Sequence, residues 1–151
     1  MKQILSLFWR VVLDSLFPAY CLGCKVGGGF LCRECLKLLP TLEAAVCPWC
    51  YKLSDFGVSC RDCRAGEFFL DGLVAASKFE DGALLQRAIH GFKYDFLEEL
   101  AGPLGEFLFE AFLPLVQQFP EKNFVLCPLP LHSKRHRWRG FNQAELLCLI
   151  V

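Results

Sequence analysis

The chain has 151 residues, enough for one ordinary domain or two small ones. Apolar residues make up 54% of it and the formal net charge is zero. That excludes a disordered chain, and it excludes a protein drawn to nucleic acid or anionic membranes by its overall field, so any such contact must rest on a local patch.

At the N-terminus, Ile4, Leu5, Phe8, Val11, Val12, Ser15 and Leu16 follow helical spacing. We expect an amphipathic helix over residues 1–16, packed on the module that follows. A membrane-surface helix is the sharper alternative, disfavoured by its few basic residues. Arg10 and Asp14 interrupt what would be a signal core, and Pro18-Ala19-Tyr20-Cys21 is a poor lipoprotein cleavage site. No run reaches the length of a transmembrane helix, and a cytoplasmic protein is the expectation.

Ten cysteines are present, and eight form Cys-x-x-Cys pairs: Cys21/Cys24, Cys32/Cys35, Cys47/Cys50 and Cys60/Cys63. A pair at this spacing grips one metal from a tight turn whose amides stabilise the sulfur charge. Two pairs make a closed, all-thiolate tetrahedral site, which is structural. Such repeated spacing without an export signal favours metal over a disulfide framework. The order of knuckle, short hairpin and second pair occurs twice. Sequential pairing is therefore favoured: Cys21, Cys24, Cys32 and Cys35 on one zinc ion, Cys47, Cys50, Cys60 and Cys63 on another. An interleaved cross-brace uses the same residues and stays open. The double ribbon is expected over residues 17–66. Lys25, Arg33, Lys37, Lys52, Arg61 and Arg64 are scattered among Glu34, Glu43, Asp55 and Asp62, so a structural role is favoured over direct nucleic-acid binding. Cys127 and Cys148 lie in apolar runs and read as small core residues.

From Asp71 the chain reads as α/β. Leu73–Phe79 is strand-like. Asp81 is placed to cap a helix carrying Leu84, Leu85, Ala88 and Ile89 on one face, with Gly91 as its end. A second apolar stripe runs from Phe96 to Leu115, and Pro103 and Pro114 are expected to split or kink that helix. Phe124–Cys127 has the composition of a strand buried in a parallel sheet, and Asn142–Val151 reads as a helix. His90 and Lys93 are expected to be polar helix-end residues.

Between that strand and that helix, His132 to Arg139 holds four basic residues and two histidines in eight positions. A basic loop after a buried strand, leading into a helix N-terminus, is where an open α/β sheet binds ligands, and guanidinium groups favour phosphate. The bland alternative is a solvated basic loop. Metal ligation by His132 and His136 is disfavoured by the neighbouring arginines.

The order CLGC, LCRECLKLLP, CPWC, CRDC, FKYD and CPLPLHSKRHRWRGFNQAE closely resembles the ComF family, from about Leu16 onward. The resemblance implies a small zinc-ribbon module followed by a type I phosphoribosyltransferase-like α/β domain over residues 71–151. It also implies a link, known for some relatives, to competence and uptake of single-stranded DNA, with DNA or competence and helicase proteins as partners. By the same resemblance Arg139 and Gly140 are pyrophosphate contacts, with Arg135 and Arg137 as weaker candidates. Type I enzymes bind the ribose 5-phosphate and metal at a later loop, an acidic pair followed by a Thr/Gly-rich turn. Nothing resembling that loop stands in these 151 residues. Magnesium with phosphoribosyl pyrophosphate is thus expected only in a full-length relative. The chain is expected to be the N-terminal part of a ComF-like protein, inactive by itself. The alternative is a zinc-ribbon module that binds nucleic acid or protein without an enzymatic role.

Overall fold

The computed structural model describes residues 18–42, 44–64, 66 and 70–151, so the expected helix over 1–16 lies outside the described residues. The first half is a duplicated ribbon. Cys21 N donates to Val26 O at 3.0 Å and Lys25 N to Cys21 O at 3.0 Å; in the repeat, Cys47 N donates to Lys52 O at 2.9 Å and Tyr51 N to Cys47 O at 3.0 Å. Isolated antiparallel bridges, Tyr20 to Gly27 and Val46 to Leu53, close the two hairpins. The residue after each knuckle, Lys25 or Tyr51, takes a left-handed conformation with φ of 64° or 60°. The second cysteine pair of each repeat opens a short helix, α1 (Arg33–Lys37) or α2 (Arg61–Arg64).

Four further helices follow: α3 (Leu84–Tyr94), α4 (Ala101–Gln118), α5 (Ser133–Arg139) and α6 (Gln143–Cys148). The apolar core crosses from the ribbon into these helices. Leu31, Leu36 and Leu39 of the first repeat are buried together with Leu85, Ala88 and Phe92 of α3 and with Leu100, Leu104 and Phe107 around the start of α4. A ribbon of this size has too little apolar surface to bury by itself, and the helices supply the rest. The Arg33–Glu106 ion pair across this junction is 4.0 Å long and largely exposed, so it adds little. The second repeat is bonded instead to the segment that follows it, by Ser59 N to Asp71 O at 2.6 Å and Leu73 N to Gly57 O at 2.9 Å, and the linker before it is tied to the same segment by Leu42 N to Ala76 O at 3.2 Å.

Several local expectations are corrected. No strand ladder forms among the described residues, only three isolated bridges. Leu73–Phe79 spends its backbone groups on the second ribbon repeat and on Leu42 rather than on a sheet. Phe124–Cys127 is not buried; Val125 is 84% exposed, because no described segment lies alongside as a pairing partner. Cys127 is accordingly exposed, while Cys148 is partly buried. Ala83, not Asp81, is the N-cap of α3; Asp81 Oδ1 instead accepts from Gln86 Nε2 at 3.0 Å. Gly91 does not end α3. It lies inside the helix, where Leu97 and Leu100 fold back so closely that a Cβ would meet their Cδ1 atoms at 3.0 and 3.3 Å. Nor do the prolines split α4. Pro103 stands in the first turn, where no intrahelical acceptor is lost, and Pro114 removes a single bond near the end of an 18-residue helix. None of the described helices is long and apolar enough to cross a membrane.

Candidate metal centres and basic helix

The eight paired cysteines assemble into two groups, Cys21, Cys24, Cys32 and Cys35, and Cys47, Cys50, Cys60 and Cys63, with the sulfurs of each group within 4.8 Å of one another. This is the sequential pairing; the cross-brace is set aside. The fit to zinc can be tested on the sulfur spacing. A tetrahedron with metal–sulfur bonds of about 2.3 Å has edges of about 3.8 Å. Cys24 and Cys32 sulfurs lie 3.7 Å apart, and so do those of Cys50 and Cys60. The donor set and its dimensions fit two structural zinc ions, with no position left open for a substrate.

The knuckle turns prepare these sulfurs for a cation. Burial opposes charge on Cys21, but amides of Cys32, Cys24 and Gly23 aimed at its sulfur prevail and bring the thiol down to about 6. The Cys32 N–H reaches it at 3.4 Å. Cys47 repeats the arrangement: burial is again outweighed, here by amides of Cys60, Cys50 and Trp49, and the thiol falls to about 6. The last cysteine of each site is the opposite. A hydrogen bond with the Cys32 sulfur, then burial, push Cys35 up to about 12. Cys63 is pushed to about 12 in the same way, first by the Cys60 sulfur. Each site thus has one sulfur that charges readily and one that keeps its proton until a cation takes its place.

The two sites differ in their surroundings. The third residue of the first knuckle is Gly23, and a Cβ there would meet Cys35 Sγ at 2.6 Å and Leu84 Cδ2 at 3.1 Å. The equivalent in the second knuckle is Trp49, whose Nε1 donates to Ser59 Oγ at 3.2 Å and to Leu70 O at 3.4 Å. The first site is set into the helical core, and the second is held at the side by loop contacts.

The stretch expected as a basic loop is the helix α5. His132 caps it, its Nδ1 accepting from Lys134 N at 3.2 Å, which commits that histidine to the backbone rather than to a metal. Gly140 ends it in a left-handed conformation, φ 78°, with its N–H on His136 O at 2.9 Å. Lys134, Arg135 and Arg137 are exposed on this helix, and among the described residues no carboxylate pairs with them or with Arg139. Arg139 is half-buried. Its Nη1 donates to Gln143 Oε1 at 3.2 Å and its guanidinium lies 5.1 Å from the centre of the Tyr94 ring. Gln143 is in turn buried and donates Nε2 to Phe92 O at 3.3 Å, while the Phe92 and Phe141 rings meet at 5.5 Å. The FKYD segment, Phe92 to Asp95, and the Arg139-to-Gln143 segment are therefore locked together. Tyr94 and Gln143 are the partners that sequence reasoning missed. Arg139 and Gln143 stand on either side of a helix break, and nothing local links either to Tyr94.

A cavity of about 1150 Å³ opens elsewhere, between the Pro40–Val46 linker, Leu73–Ala76 and α4, with Phe56, Phe107 and Leu115 on its walls. None of Arg135, Arg137 and Arg139 lines it.

Comparison with known proteins agrees with the two centres. The double zinc ribbon domain family matches residues 12–64, a span that contains all eight ligand cysteines. The competence protein ComFC of Bacillus subtilis (strain 168) is 29% identical over 130 residues, covering 78% of this chain and 49% of its own. These matches support assignment to the ComF family. The chain spans about half the length of this ComF relative. No solved structure matches it.

Proposed function

We propose that the chain is a ComF-like, competence-related protein whose second segment belongs to the type I phosphoribosyltransferase fold, and whose basic helix α5 contacts phosphate groups. The observation that carries this reading is the lock between Phe92–Asp95 and Arg139–Gln143, which presents four cationic side chains of one short helix with no described carboxylate to neutralise them. Arg135 and Arg137 are the free contacts, and Arg139 is both contact and clasp. The similarity to a competence protein supports single-stranded DNA, or proteins that handle it, as partners. The zinc ribbon serves as scaffold, and two four-cysteine metal centres suit a reducing, cytoplasmic compartment.

Phosphoribosyl transfer needs the donor held at both ends, and these 151 residues contain nothing resembling the acidic pair and Thr/Gly-rich turn that would hold its ribose 5-phosphate. We expect α5 to bind polyanions weakly and these 151 residues by themselves not to transfer a phosphoribosyl group. Two titrations test this. Binding of single-stranded DNA at low salt should weaken in an Arg135→Ala, Arg137→Ala, Arg139→Ala variant and with added salt; an unchanged affinity removes the helix from the reading. Calorimetry with phosphoribosyl pyrophosphate and magnesium should show no saturable micromolar binding, and its presence would overturn the inactivity.

A further inference from the structure

Three large aromatic rings stand exposed beside the basic helix. Trp138 is 54% exposed, Phe96 57% and Tyr94 42%. They come from two parts of the chain, yet Tyr94 and Trp138 are 5.9 Å apart between ring centres, and Phe96 and Trp138 6.2 Å. Phe96 holds its place with φ at 59°, a region that side-chain-bearing residues rarely adopt. Rings gathered in this number usually close over one another as core. Here each keeps about half its area in water, on the flank of a helix carrying Lys134, Arg135 and Arg137.

We infer that Tyr94, Phe96 and Trp138 form a stacking platform for unpaired bases of a single-stranded polynucleotide, with α5 supplying the contacts to its backbone. The inference rests on the nucleic-acid reading above and adds to it the surface that meets the bases. The charge pattern selects the partner. Across His132–Arg139 there is no acidic residue, whereas the segment carrying Phe96 has Asp95, Glu98 and Glu99 beside Lys93, and Asp95 already faces His90 Nδ1 at 3.5 Å. A strand laid along α5 keeps its phosphates on the cationic side and turns its bases towards the rings. Duplex DNA satisfies the cations but has no free base faces to offer, and a polyanion without bases uses the helix alone.

The test uses the zinc-loaded 151-residue chain and two fluorescein-labelled strands of about 20 nucleotides, oligothymidylate and an abasic strand of equal charge. The platform requires oligothymidylate to bind about 10-fold more tightly than the abasic strand, a preference that the Phe96→Ala, Trp138→Ala double variant loses while its abasic affinity stays. Equal binding of the two strands by the parent overturns the platform and leaves the phosphate reading standing. So does a preference that survives in the double variant. Failure of the parent to bind either strand overturns both. The comparison of strands on the parent needs no variant, and Trp138→Phe, which keeps a ring, should retain the preference if the alanine variant misfolds.

Discussion

Gln143 links two segments 51 residues apart: one end of its amide accepts from Arg139 Nη1 at 3.2 Å and the other donates to the Phe92 carbonyl at 3.3 Å. The amide is buried, so both bonds matter more than they would at a surface. Replacing it by leucine keeps the volume and strands the Phe92 carbonyl. We expect Gln143→Leu to cost about 1–3 kcal/mol in denaturant unfolding. It should also weaken polyanion binding, because Arg139 loses its anchor. A variant as stable as the parent would mean that the amide does not join the segments.

Gly57 is the point where the second ribbon repeat meets the chain that leaves it. Its φ is 69°, and a Cβ there would lie 2.0 Å from Leu73 O, a backbone atom that cannot swing aside. Gly57→Ala is therefore expected to destabilise the second repeat by at least about 1 kcal/mol and to release its zinc at lower chelator concentration than the first. Loss of both ions together would show that the repeats are not separable.

The paired cysteines were legible in the sequence because metal ligation is written in short spacings, and the turns that aim amides at Cys21 and Cys47 are local. Helices α3 and α4 were legible from their apolar stripes. The helix α5 also left signals, with Gly140 as its stop and basic residues in its last turn, but a dense charge run reads equally as a solvated loop. The two expected strands could not be judged from composition alone. A strand exists only with a partner, and neither Leu73–Phe79 nor Phe124–Cys127 has one among the described residues. The contacts of Gln143 with Phe92 and of Arg139 with Tyr94 depend on chain folding over long separations, which no spacing rule encodes.

Zinc affinity should depend steeply on pH. The metal takes thiolates, so each proton still held must leave first. Cys21 and Cys47 are lowered from 9.0 to about 6. Groups lowered in this way stabilise the folded, metal-free ribbon above their free value, and that contribution is lost as pH falls through about 6. Cys35 and Cys63 are raised to about 12, so their contribution is present below 9.0 and is lost only as pH rises through about 12. At pH 7 the first pair is already charged, and the second releases its protons to solvent as the metal binds. Competition with a chelator should show affinity falling on acidification throughout, and more steeply below pH 6, where Cys21 and Cys47 also take up protons. A flat affinity between pH 5 and pH 8 would contradict four-thiolate coordination.

The two zinc sites should differ in what depends on them. The chain is expected to hold about two ions, and Cys24→Ser or Cys50→Ser should each release one, whereas Cys148→Ser should release none. Elemental analysis showing no zinc, with mapped disulfides, would sink the assignment. The consequences for the helices are not equal. Cys21 and Cys35 belong to the same buried cluster as Leu85, Phe92, Leu100 and Leu104, and Gly23 brings the first knuckle against Leu84. Loss of the first ion loosens Leu31, Leu36 and Leu39 and so removes one wall of that core. The second site touches the rest mainly through hydrogen bonds to Leu70, Asp71 and Leu73. Hydrogen exchange is the direct measurement. In Cys24→Ser, protection should fall in α3 and at the start of α4; in Cys50→Ser it should fall only within residues 44–64 and 70–76. Equal loss of protection in α3 from both variants would show that the second repeat supports the helical core as much as the first does.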